Sequence, residues 1–86
     1  MNWKLLTIIY GFINQMEQEG LWDMSSDEVE ITAKYLYNKL SLYNDNIHSL
    51  PNKEWDSILW EIFDKLGWCD ISSINKESYN VIHSFF

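Results

Sequence analysis

The residues able to make or break bonds are few and far apart in this chain. It has two histidines, His48 and His83, and one cysteine, Cys69. A metal centre needs several His, Cys, Asp or Glu ligands converging at close quarters, and these three share no ligand spacing. Asn44-Asp45-Asn46 is like the opening of a calcium loop, but the glycine and the closing glutamate that such a loop requires do not follow. Serines are plentiful, yet neither a nucleophile elbow nor a phosphate-binding glycine loop occurs. A chain of 86 residues also has little material for a pocket and its supporting shell. The expectation is a protein without catalytic, metal or cofactor sites. Cys69, beside Trp68, reads as a half-buried small hydrophobe. His48 reads as a solvated or capping side chain, and His83 as a cation placed well against a helix dipole.

Charge narrows the partners. Thirteen acidic residues stand against six basic ones, giving a formal net charge of -7. All the basic residues are lysine. Base readout and bidentate phosphate recognition lean on arginine, and phosphate contacts need a basic patch, so direct nucleic-acid binding is not expected. One cysteine rules out an internal disulfide framework and agrees with a reducing compartment. No apolar run approaches the roughly 18 residues of a membrane helix. After Met1-Asn2-Trp3-Lys4 and its apolar stretch, Asn14, Gln15 and Glu17 stand where a signal cleavage site would need small residues. A cytoplasmic protein with no membrane partner is the expectation.

The elements that must position any site are helical. Asn2 is placed to cap a first helix reaching about Glu19, with Gly20 as its stop. Leu5, Ile8, Ile9, Phe12 and Met16 form one stripe along it, and Gly11 within it points to close packing. Ser25 and Glu28 form a capping box, and Met24 and Val29 stand at the staple positions of a second helix. Val29, Ala33, Leu36, Tyr37 and Leu40 share its inner face, and it should end near Tyr43, before the turn-forming Asn44-Asp45-Asn46. Pro51 marks the entry to a third helix, with Ser49 or Asn52 as cap. Trp55, Ile58, Leu59, Ile62, Phe63 and Leu66 make its stripe. Gly67 ends it, and Trp68 is placed to cover Phe63. Ser72 or Ser73 caps a fourth helix from Ile74 through Val81 and Ile82 to Phe85-Phe86. The reading is all-α: one compact four-helix domain over residues 1–86.

The corner Gly20-Leu21-Trp22-Asp23-Met24-Ser25-Ser26 is echoed by Gly67-Trp68-Cys69-Asp70-Ile71-Ser72-Ser73. Duplication would make the fold two αα-hairpins with the same corner used twice. Convergence would give the same residues, because any such corner needs glycine to stop and serine to cap.

More apolar surface is present than four such stripes need. The first helix has a second set in Trp3, Leu6, Tyr10 and Ile13, and the second helix has a surplus in Ile31, Tyr35 and Leu42. Trp60 points away from the stripe of the third helix, flanked by Lys53, Asp56 and Asp64, with Glu61 close by; it either packs under the second helix or against Phe85-Phe86, or faces solvent as a binding residue. Five tryptophans and five tyrosines serve either to build a small core from large side chains or to anchor an interface. Asp23, Asp27, Glu28 and Glu30 crowd one corner, and Glu54, Asp56, Glu61 and Asp64 decorate the third helix. Such clusters are either a solvated face or a surface that steers toward a basic partner.

Together these features favour a small acidic protein-interaction module, of the immunity-protein or phage anti-defence type. It would inhibit a larger protein with a basic surface, such as a nuclease or defence effector. Trp60, Glu61, Asp64, Asp56, Ile31 and Tyr35 are the candidate contact residues. A dimeric helix-turn-helix-like regulator or antitoxin is the alternative, opposed by the acidic balance and by a last helix whose only base is Lys76. A helical adaptor subunit of a larger assembly would look the same. The doubly apolar first helix is either central to the fold or shared in a homodimer.

Overall fold

The computed structural model describes residues 2–68 and 76–86. The described residues form four α-helices and no strand: α1 (Trp3–Gln18), α2 (Ser26–Leu40), α3 (Asn52–Leu66) and α4 (Lys76–Phe85), with a 3-10 segment over Asn44–Ser49. The backbone spans 31 × 26 × 22 Å, a compact four-helix domain. The closest helix pairs are α1 with α2, α1 with α4, and α2 with α3.

Local chemistry explains where most helices begin and stop. The Asn2 side chain accepts from Leu5 N at 3.1 Å, which satisfies one of the unpaired donors of α1. At α2 the capping box is complete: Ser25 Oγ accepts from Glu28 N, and Glu28 Oε1 accepts from Ser25 N at 2.9 Å. Gly20 and Gly67 both have φ of 74°, which a side chain would strain. Each closes a helix in the same way. Leu21 N donates to Met16 O and Gly20 N to Glu17 O, while Trp68 N donates to Phe63 O and Gly67 N to Asp64 O. This is the double bond pattern of the Schellman ending. The Trp68 and Phe63 rings stack at 5.5 Å, completing the second of these endings.

Three boundaries differ from the sequence reading. α2 ends at Leu40 rather than near Tyr43, and Asn44-Asp45-Asn46 opens the 3-10 segment instead of a simple turn. The cap of α3 is Pro51, with no side-chain bond, not Ser49 or Asn52. Ser49 ends the 3-10 segment, and the buried Leu50 separates it from α3. Proline suits the cap because it needs no donor, and its carbonyl accepts from Glu54 N and Trp55 N. The expected capping serines of α4, with Cys69 and most of the repeated corner, lie outside the described residues.

The core is aromatic along its length. Phe12 meets Trp22 at 5.5 Å and Phe86 at 5.4 Å, both edge-on. Trp22 continues to Phe63, and Phe86 to Trp55. Leu5, Ile9, Phe12 and Met16 are buried as the α1 stripe predicts, while Ile8 is half-buried. The second apolar set divides: Ile13 is in the core, and Trp3 and Tyr10 are exposed. Gly11 marks a close approach, since a Cβ there would lie 3.0 Å from the Phe85 ring. Trp22 is buried in the core with its indole N–H unpaired among the described residues.

Candidate functional site

The outer side of α3 is built by its own periodicity. Trp55, Ile58, Leu59, Ile62 and Phe63 turn inward and are buried. At about 100° per residue, that leaves Asp56, Trp60 and Asp64 as successive turns of one outer ridge. Trp60 is 44% exposed, and its one described ring neighbour is Phe63, edge-on at 6.5 Å. No ring contact joins it to Phe85 or Phe86, whose rings lie with Phe12 and Trp55.

The flanks of this ridge are held from neighbouring helices. On the α4 side, Tyr79 donates its hydroxyl to Asp56. His83 Nε2 lies 2.8 Å from Asn52 Oδ1 on the same seam. On the α2 side, Tyr35 donates to Glu61, and Lys65 Nζ sits 5.4 Å above the Tyr35 ring. These contacts leave their mark on the tyrosines. Partial burial, reinforced by the Glu61 carboxylate, pushes the Tyr35 phenol well above its ordinary range. For Tyr79 the hydrogen bond to Asp56 is the main cause of a raised pKa, with burial second.

The six candidate contact residues therefore fall into groups. Trp60 and Asp64 share the exposed ridge, with Asp56 on it but drawn toward α4. Tyr35 and Glu61 meet across the α2–α3 seam. Ile31, 47% exposed, joins Tyr35 in a shallow groove of about 240 Å³ completed by Lys34, Asn38 and Lys65. Ile31 thus lies on the α2 side of the seam, away from Trp60.

One acidic residue of the corner has a structural task that spacing did not reveal. Glu28 Oε2 accepts from the Trp68 indole N–H at 3.0 Å, while its other oxygen closes the capping box. The Ser25 backbone bond and then the Trp68 bond hold its carboxyl below the ordinary value of 4.5. Glu28 therefore ties the end of α3 to the start of α2. The signal was out of reach in sequence because its partners lie 40 residues apart.

Among the described residues no group of three or more His, Cys, Asp or Glu is placed to hold a metal ion. No described helix is long and apolar enough to cross a membrane. No protein-family model matches the chain, and no curated protein or solved structure is significantly similar to it.

Proposed function

We propose that the chain is a small acidic protein-interaction module without an activity of its own, acting as an inhibitor of the immunity or anti-defence type. Its target is a larger protein with a basic, nucleic-acid-handling surface, met in the cytoplasm. The observation that carries this reading is Trp60, a large aromatic side chain held at the surface between Asp56 and Asp64. Tryptophan is among the residue types enriched at the hot spots of interfaces. Carboxylates around it suit lysine or arginine at the rim of a basic pocket.

The tyrosine bonds add to this. A carboxylate already fixed in place loses less freedom on binding than a mobile one, so more of the contact energy appears as affinity. Asp56 and Glu61 are fixed in this way by Tyr79 and Tyr35. The net charge of -7 adds long-range attraction to a basic partner and hastens encounter.

Affinity capture from the native host, run in parallel with wild type and Trp60→Ala, tests the reading. It predicts a nuclease or other nucleic-acid-handling protein enriched by wild type and depleted with the variant. Equal capture by both, or prey confined to a metabolic complex, contradicts it. A titration with labelled duplex DNA near physiological salt should show no binding in the ~10⁻⁴ to 10⁻⁶ M range of ordinary non-specific binders. Micromolar binding with a steep salt slope would instead favour the helix-turn-helix regulator.

A further inference from the structure

The face formed by α1 and α2 differs in character from the α3 ridge. Among the described residues, four of the five exposed large hydrophobic ones lie on α1, on α2 or just after α2: Trp3 (69% exposed), Tyr10, Ile31 and Leu42. Between the two helices runs a groove of about 330 Å³ lined by Leu6, Tyr10, Glu30, Ala33, Lys34, Tyr37 and Asn38. Its N-terminal end is fixed, because Asn2 N donates to the Tyr37 hydroxyl at 2.7 Å. Lys34 and Asn38 also line the neighbouring groove with Ile31, Tyr35 and Lys65, so the two grooves flank one ridge of α2.

From this we infer that the α1–α2 face seats a second copy of the chain about a twofold axis, with α2 crossing its counterpart in antiparallel sense. Charge selects that occupant. The lining of the two grooves carries Glu30, Lys34 and Lys65, one acid and two bases, in a chain with 13 acids and six bases. A basic partner would meet two lysines here, and nucleic acid would find no arginine. A copy of the same chain, repelled by net charge over most of its surface, finds here a patch that is not acidic. Glu30 and Lys34 are one helical turn apart, and both are exposed. A twofold axis passing between them sets Glu30 of each protomer against Lys34 of the other, so one self-complementary patch supplies both halves of the interface. Leu6, Tyr10 and Ile31 then supply the apolar contact beside the pair.

A stable interface hides about 800 Å² on each partner, roughly 15% of the 5433 Å² surface here. Area does not fix affinity, so the dimer is tested over a wide range of concentration. It does not rest on the Trp60 reading and leaves the α3 ridge open.

Sedimentation equilibrium of the full chain over about 1 µM to 1 mM tests the inference. Wild type should move from 10.3 kDa toward twice that mass. Glu30→Lys and Lys34→Glu should each weaken association at least tenfold, and the double exchange should restore it. The first variant is the discriminating one, because it makes the chain less negative and would strengthen any association governed by net charge alone. Both side chains are exposed, and thermal melts establish that the variants remain folded. A wild-type monomer throughout the range, a tighter Glu30→Lys dimer, or a double exchange no better than its parents would overturn the inference. Growth beyond a dimer would also overturn it, since a twofold interface closes.

Discussion

Trp55 and Trp60 stand on the same helix, five positions apart, and meet opposite fates. Trp55 is 1% exposed and lies 5.1 Å from the Phe86 ring, whereas Trp60 is 44% exposed at the edge of Phe63. Five residues is about 500° of helical turn, enough to carry an identical side chain from the core to the outer ridge. The aromatic residues of the chain thus divide between the interior and the surface. Trp22 and Trp55 build the interior, Trp68 seals a helix end, and Trp60 and Trp3 are surplus to the core.

The largest effect should come from breaking the inner member of the pair. Trp55→Ala should cost about 3–5 kcal/mol, the usual range for truncating a buried aromatic residue, as measured by denaturant unfolding. Trp60→Ala should cost less, about 1–2 kcal/mol, because only part of its surface is covered. Similar losses at both sites would erase the distinction.

Glu28 and Trp68 sharpen the comparison at the end of α3. The Glu28 carboxyl titrates below its ordinary value of 4.5 in the folded chain. The folded state therefore favours the ionised form, and that stability is full above the unfolded value. It is lost as pH falls through the lower folded value. Melting temperature measured across the acid range should fall less steeply for Glu28→Gln than for wild type. An unchanged acid limb would mean that the link between the corners contributes nothing.

At the alkaline end the sign reverses. Tyr35 and Tyr79 are raised, so the folded state favours the protonated phenols, and their contribution fades as pH climbs above the ordinary value of 10.0. Titration followed by ultraviolet absorbance should show two tyrosines ionising late. Tyr35→Phe with Tyr79→Phe should remove that late phase.

The smallest effect is expected at Gly11. Alanine there gains about 1 kcal/mol of helix propensity and loses much of it against the Phe85 ring, 3.0 Å from the added Cβ. Thermal melts should place Gly11→Ala within about 0.5 kcal/mol of wild type.

What was legible in the sequence was local. The capping box at Ser25, the inner stripe of α3, the glycine endings and the Trp68–Phe63 contact all follow from spacings of a few residues. Trp22 was not legible as core. It sits in a corner without periodicity, and Phe12 and Phe63 reach it from two different helices. The pairs Tyr35–Glu61 and Tyr79–Asp56 were hidden for the same reason, since each joins two helices through side chains alone. The cap of α3 escapes sequence reasoning because Ser49 and Asn52 are both good capping residues, yet Ser49 ends the 3-10 segment and the Asn52 side chain meets His83. Within the candidate site, the helical wheel takes Trp60 off the core stripe but does not decide whether a neighbouring element covers it. Fixation of its neighbouring carboxylates could not be read from spacing.

Under the proposed function Trp60 is a binding anchor rather than part of the core. Calorimetric titration of the captured partner with wild type and Trp60→Ala, beside the melting temperatures of both and of Trp55→Ala, tests it most directly. Binding should weaken at least tenfold, consistent with the loss of a hot-spot side chain, while the melting temperature stays well above that of Trp55→Ala. Unchanged affinity, or a collapse in melting temperature, would contradict it.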